Sequence, residues 1–229
     1  MKIFLRNGDQ LVLDGGARCS DAASAISEGL ARNAVAAKVN GKLCDLSHEL
    51  KEGDKLEIVT LKDKEGLEVY RHTCAHVLAQ AVKNIFPTCK LAIGPVIENG
   101  FYYDFDFNTP ITQDDFEKIE AEMHEIIEAD TPIARFELPR KEAVELMSKY
   151  KEKYKVELIN DLPDDSVISF YKQGAFTDLC RGPHLPSTGK IKAFKLTSIA
   201  GAYWRGNEKN KMLPRIDGIA FAKKEEMKA

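Results

Sequence analysis

No apolar run in this chain of 229 residues approaches the roughly 20 residues that span a bilayer, which excludes a helical membrane span. Cysteine is scarce and odd in number, five in all, and the five are unevenly spaced. A secreted disulfide framework is therefore a poor reading, and free thiols in a reducing cytoplasm are expected. The N-terminus, Met1-Lys2-Ile3-Phe4-Leu5-Arg6, has neither the long apolar stretch nor the small-residue cleavage site of a signal peptide, and it reads as a strand. There is no internal repeat, no low-complexity tract and no regular βαβ alternation, so a solenoid and a doubly wound sheet both fall away. Net charge is only −3, too little bias for a generic nucleic-acid binder.

What is present is an ordinary globular composition, 44% hydrophobic and 30% charged, with its charge unevenly placed. Residues 112–130 hold eight acids and one base, and residues 181–215 hold eight bases and one acid. The aromatics Phe194, Tyr203 and Trp204 lie inside the basic stretch. Such a mixture can grip a phosphate backbone and offer bases a stacking surface, or it can be a solvated lysine-rich face.

Hydrophobic periodicity organises the chain into two parts. Residues 2–14 read as a hairpin about Asn7-Gly8, residues 20–32 as a helix, and Ala36–Val39 and Lys55–Thr60 as strands bounded by Asn40-Gly41 and Gly53-Asp54. That order suggests a small β-grasp, ubiquitin-like domain over 1–61, followed by a polar linker over 62–66. A larger α+β domain is expected over 67–222, so the fold class is α+β. Its first helix, near 67–86, carries an apolar stripe of Leu67, Tyr70, Cys74, Val77, Leu78, Ala81 and Ile85. His72 and His76 fall nearly opposite that stripe, on a side facing solvent or a cleft. Phe101 to Phe107 alternates as a half-buried strand. Thr112 to Asp130 reads as an acidic amphipathic helix with Phe116, Ile119, Met123 and Ile126 inward, and His124 reads as a surface residue. A strand near 133–138, a helix over 140–151, and strands at Lys155–Ile159 and Val167–Tyr171 complete the expectation, with a strand-rich remainder to 222.

Two short stretches carry the chemistry. His72 and His76 are four residues apart on a helix and share a face. Cys180 and His184, in Asp178-Leu179-Cys180-Arg181-Gly182-Pro183-His184, are also four apart, with Gly182-Pro183 turning the chain between them. If folding joined the pairs, His72, His76, Cys180 and His184 would suit a tetrahedral zinc ion. A metal-free hydrolytic pocket suits the same residues, with histidine taking a proton from water and a lysine stabilising an oxyanion. Nothing marks the Cys180 thiol as an activated nucleophile. Spacing leaves these alternatives open.

Longer motifs narrow the choice. His72-x-x-x-His76, Gly94-Pro95-Val96-Ile97-Glu98-Asn99-Gly100-Phe101-Tyr102-Tyr103-Asp104, Asp178 through His184, and Gly201-Ala202-Tyr203-Trp204-Arg205-Gly206 with Lys211-Met212-Leu213 occur in an order that resembles the bacterial threonyl-tRNA synthetases. The resemblance covers essentially the whole chain. It implies a TGS domain followed by an editing domain of the tRNA-SAD type, with 223–229 opening a linker helix to an aminoacylation core beyond this sequence. It implies hydrolysis of mischarged Ser-tRNA(Thr), while the longer enzyme would join threonine to tRNA(Thr) with ATP, magnesium and a zinc ion in its core. Serine and threonine differ by one methyl group, worth about 1–3 kcal/mol, which is too little for faithful selection in a single pocket.

The same resemblance implies catalytic roles for His72, Lys155 and His184, and substrate contacts from His76, Asp178, Cys180 and Tyr103. In that scheme His72 and Lys155 position and deprotonate water, Asp178 and Cys180 hold the seryl group, and His184 and His76 orient the ester and the terminal adenosine. Arg181, Lys195, Arg205 and Lys211 are the implied tRNA contacts. No cofactor is required of the pocket, although its four ligand-like side chains remain candidate zinc ligands. The implied partner is the acceptor end of tRNA(Thr), in the cytoplasm, with a monomeric fragment of an enzyme that dimerises through its core. A non-catalytic tRNA-binding appendage and a free-standing trans-editing deacylase are the competing readings.

Overall fold

The computed structural model describes residues 1–228, which divide into two compact units. The first comprises Met1–Tyr70 with the short segment Gly182–Pro186, and the second Arg71–Arg181 with the chain from Ser187 onward. The architecture is α+β.

The small unit is a five-stranded sheet with two helices. Its strands are β1 (Lys2–Leu5), β2 (Gln10–Val12), β3 (Ala34–Val39), β4 (Lys42–Cys44) and β5 (Lys55–Thr60), in spatial order β2-β1-β5-β3-β4. β1 and β5 run parallel, while the hairpins β1–β2 and β3–β4 and the β3–β5 pair are antiparallel. Local turn chemistry sets this sheet. Asn40 and Gly41 both adopt positive φ (53° and 83°), as a two-residue hairpin turn demands. The helix expected over 20–32 is two helices, α1 (Cys19–Ile26) and α2 (Glu28–Asn33). Ser27 interrupts it with extended backbone, and its side chain accepts a hydrogen bond from Leu30 N–H as the cap of α2. Ile3, Cys19, Ala22, Ala37, Leu50 and Leu56 are the centre of the core.

Regular structure enters the polar run over 62–66. Helix α3 (Lys64–Ile85) already begins there, and the Asp63 carboxylate accepts a hydrogen bond from Thr60 N–H. Gly66 is a packing residue, since a Cβ at that position would sit 2.0 Å from the Thr60 carbonyl oxygen. The missing side chain lets the first turn of α3 run against the end of β5.

The larger unit has two antiparallel sheets. One joins β12 (Ala193–Tyr203), β13 (Met212–Phe221), β8 (Gly100–Asp106) and β6 (Lys90–Leu91) in that order, with β7 (Val96–Ile97) also paired to β8. The other orders β11 (Phe176–Leu179), β10 (Ser169–Gln173) and β9 (Ile133–Glu137). Helices α4 (Phe116–Glu128), α5 (Arg140–Lys149) and α6 (Lys153–Asn160) complete it. The amphipathic pattern of α4 holds, with Phe116, Ile119, Met123 and Ile126 buried, each contributing about 1.5–3 kcal/mol of apolar burial. A 3₁₀ turn, Gln113–Asp115, precedes it, capped by Thr112.

Three expectations change. The stretch Lys155–Ile159, read as a strand, lies in α6: Lys155 and Ile159 are buried while Glu157 between them is exposed, and Tyr154 packs edge-on against Trp204. A single apolar stripe on α3 is also incomplete, because Arg71, Thr73, Ala75, His76 and Ala79 are buried along with the stripe residues. The side bearing the histidines is thus covered. Strand β8 is not half-exposed either: Asp104 is gripped by Arg215 at 2.8 and 3.0 Å, and Asp106 accepts from the Tyr154 hydroxyl at 2.6 Å. Its polar face is buried because its charges are paired. Near the C-terminus Lys224–Lys228 forms a 3₁₀ turn, and the linker helix expected over 223–229 ends on Ala229, outside the described residues.

Candidate active site

Four elements of the larger unit bring a polar cluster together. Helix α3 supplies His72 and His76, whose rings meet edge-on at 5.3 Å, as i and i+4 residues do on one helix face. Strand β11 supplies Asp178 and, just past its end, Cys180. That end is fixed by Cys180 N–H donating to the Ser169 carbonyl at 3.0 Å and the Ser169 hydroxyl donating to the Cys180 carbonyl at 2.5 Å. Strand β8 supplies Tyr103 and α6 supplies Lys155.

Asp178 is the hub. Its Oδ2 accepts from the Tyr103 hydroxyl at 2.6 Å and lies 3.6 Å from His76 Nε2, while the Lys155 ammonium stands 3.1 Å from Oδ1. Lys155 Nζ also sits over the Tyr103 ring, 5.3 Å from its centroid. The Lys155 and Asp178 side chains are 4% and 1% exposed, so this is a fully dry ion pair. Lys155 approaches Oδ1 outside hydrogen-bonding geometry, and that oxygen has no well-formed partner. His72 Nε2 lies 3.4 Å from Cys180 Sγ, completing a continuous polar surface.

Burial governs the protonation states. It drives His72 down to about 3, helped by the neighbouring His76, and His76 down to about 4, with Asp178 opposing and Lys155 reinforcing the shift. Both rings are neutral near pH 7. Burial works to raise the Asp178 carboxyl, yet Lys155, His76 and the Tyr103 hydroxyl together hold it below the ordinary carboxylate range. Burial, and then Asp178, keep Tyr103 a neutral phenol that donates its hydrogen bond. The site therefore offers neutral imidazoles that can accept a hydrogen bond from water beside a fixed cation that can face an oxyanion.

His184 belongs to the segment Gly182–Pro186 that groups with the small unit. It is buried, its backbone N–H donates to Asp45 Oδ1 at 2.9 Å, and the Gly182–Pro183 peptide before it is cis. The basic residues expected to meet tRNA fare unevenly. Arg205 is engaged by Asp161 and by Glu157, and Lys211 reaches Asp106 at 2.7 Å. Arg181 and Lys195 are exposed. Spacing could not have found Gly94, which leaves room for the aromatic ring: a Cβ there would lie 2.2 Å from Tyr103 Cδ2.

The ligand atoms of His72, His76 and Cys180 lie within 4.8 Å of one another, and this donor set suits zinc. The Lys155 cation beside them works against a second positive charge.

Comparison with known proteins finds two domain families and a set of similar enzymes. The TGS domain family matches residues 1–60, and the threonyl and alanyl tRNA synthetase second additional domain matches residues 168–217. Threonine–tRNA ligase of Clostridium tetani is 56% identical over 229 residues, and that of Clostridioides difficile 57% identical over 227. The chain is similar to threonine–tRNA ligases along its whole length. It is covered whole, or 99% of it, by these relatives, and it spans 36% of their length. The threonine–tRNA ligase of Acetivibrio thermocellus matches to the same extent, at 56% identity. The second-additional-domain match takes in β11, Cys180, β12 and the first part of β13, so Asp178 and Cys180 fall inside it.

Proposed function

We propose that this chain is the proofreading part of a threonine–tRNA ligase and hydrolyses the seryl ester of mischarged tRNA(Thr). The observation that carries this reading is the buried Lys155–Asp178 pair beside two neutral histidines, a costly arrangement for a scaffold and a useful one for hydrolysis. In the proposed reaction water, held by neutral His72, gives a proton to that imidazole as it adds to the ester carbonyl. The tetrahedral oxyanion faces the Lys155 ammonium, the bond to the terminal ribose oxygen breaks as His72 returns the proton to that oxygen, and serine and tRNA(Thr) leave. Asp178 and Cys180 bind the seryl group, Tyr103 fixes Asp178, and His76 orients the ester and the adenosine. A second pocket of this kind rejects threonine by excluding its methyl group, a discrimination the synthetic site cannot reach alone. Arg181 and Lys195 are the proposed contacts to the acceptor end, and the cytoplasm is the proposed setting; no helix among the described residues is long and apolar enough to cross a membrane.

The test is deacylation of Ser-tRNA(Thr) by this chain. His72→Ala and Lys155→Ala are each expected to lower the rate by about 100-fold or more. Binding of tRNA with hydrolysis no faster than in buffer would leave a non-catalytic tRNA-binding appendage instead. Were zinc bound, His72, His76 and Cys180 would hold it, leaving a fourth position for a water whose pKa it would lower. The proposed route needs none, so hydrolysis is expected to survive chelation, and stoichiometric zinc lost together with activity would overturn it.

A further inference from the structure

Glu152, immediately before α6, takes no part in the cluster described above, yet its side chain is only 4% exposed. One oxygen, Oε1, lies 3.3 Å from Lys83 Nζ and accepts a long hydrogen bond from Leu91 N–H at 3.4 Å. The other, Oε2, is buried with no hydrogen-bond partner. Among the described residues only Asp178 Oδ1 shares that condition. A buried carboxylate with an unsatisfied oxygen costs stability, and an apolar residue of similar size would pack there at less cost.

Its partners explain the retention. Lys83 is on α3, the helix of His72 and His76, and its ammonium also donates to the Cys89 carbonyl at 2.5 Å. Leu91 is on β6, which pairs with β8 at Leu91–Phe105, two residues from Tyr103. Glu152 itself opens α6, with its carbonyl accepting from Val156 N–H at 3.1 Å, and Lys155 follows one turn later. One carboxylate thus ties together the three elements that deliver the histidines, the tyrosine and the lysine. Asp178, supplied by the fourth element, is close enough for its charge to raise the Glu152 carboxyl, after burial and against Lys83.

We propose that Glu152 is a positioning residue for the hydrolysis: through Lys83 and Leu91 it sets the placement of Lys155 against His72, His76 and Tyr103. The inference rests on the deacylase reading. Glu152 touches no substrate, so its removal is expected in the chemical step and not in binding.

The experiment is steady-state deacylation of Ser-tRNA(Thr) by the wild type, Glu152→Gln, Lys83→Gln and Lys155→Ala, with thermal unfolding read from the fluorescence of Trp204, the single tryptophan. Glu152→Gln keeps shape and acceptor but loses the charge that holds Lys83. Its kcat is expected to fall about tenfold, the usual effect of an outer-shell partner, with KM within twofold. Lys83→Gln loosens the same tether from α3 and is expected to act in the same direction. If both variants keep kcat within twofold of wild type while Lys155→Ala loses it, Glu152 is structural and the inference is wrong. It is equally wrong if kcat drops only in proportion to the unfolded fraction. If the wild type itself does not exceed the uncatalysed rate, the deacylase reading fails, a different outcome from either.

Discussion

The two units treat charge in opposite ways. Among the described residues, every buried side chain from Met1 to Tyr70 is in the hydrophobic core, and the buried histidine of the small unit is His184 in its Gly182–Pro186 segment. Its ion pairs, Arg6–Glu57 and Lys38–Glu65, lie at the surface. The larger unit buries Asp104, Asp106, Glu152, Lys155 and Asp178, along with His76. Both are mixed α and β structures, so fold class does not explain the difference. A sheet stabilised by Ile3, Ala37, Leu50 and Leu56 has no need of interior charge. Interior charge that persists despite its desolvation cost marks where a group must be held in one place and one protonation state.

The comparison can be broken most sharply at Lys155. Lys155→Ala leaves Asp178 as an uncompensated buried anion, and unfolding in urea is expected to show a loss of about 3–5 kcal/mol. Lys38→Ala, which removes a surface pair, is expected to leave the unfolding midpoint unchanged. Equal effects would erase the distinction between the units. A second test uses pH. The folded values of His72 and His76, about 3 and 4, lie below the ordinary 6.5. Below about pH 6.5 the unfolded chain takes up protons that the folded histidines refuse until about 4 and 3, so stability is full above 6.5 and falls as pH drops through that window. The slope is up to about 1.4 kcal/mol per pH unit for each histidine. Urea titrations followed by Trp204 fluorescence measure it, and a slope that survives replacement of both histidines by asparagine would refute the assignment.

Smaller effects separate two kinds of glycine. Gly94→Ala in the larger unit drives a Cβ into the Tyr103 ring and is expected to cost about 1–3 kcal/mol and to weaken hydrolysis with it. Gly8 in the small unit has φ of +88°, and a Cβ added to it would meet nothing within 4 Å. There alanine meets only backbone strain, about 1 kcal/mol, with no change in hydrolysis. Thermal melts paired with deacylation rates distinguish the two.

The small sheet is legible in the sequence because its information is local: Asn7-Gly8, Asn40-Gly41 and Gly53-Asp54 fall where the chain reverses. The helical phase of His72 and His76 is legible too, and it correctly puts the pair on one face. That this face is covered is not, since the groups facing it, Asp178 and Lys155, are about 80 to 100 residues away in sequence. The strand expected at Lys155 fails because Val156 and Ile159 are β-branched in a short segment, where propensity competes poorly with packing of Tyr154 and Ile159. Residues resembling a family motif point to Lys155 and Asp178 where ligand spacing passes them over. Glu152 leaves no trace in any pattern, and Gly94 appears only as the first residue of a family motif that does not disclose its role, because both roles consist of what the residues touch.

Asp178 receives a phenol, an ammonium and an imidazole on two oxygens, and each of those groups is anchored on a different element. A wall braced from three directions does not yield when pressed. On the proposed reading that stiffness is the source of fidelity: a cavity that could swell by the width of one methyl would admit threonine and destroy the correct product. The selectivity of the pocket is then a mechanical property, measured by how little Asp178 can be displaced, as much as a chemical one.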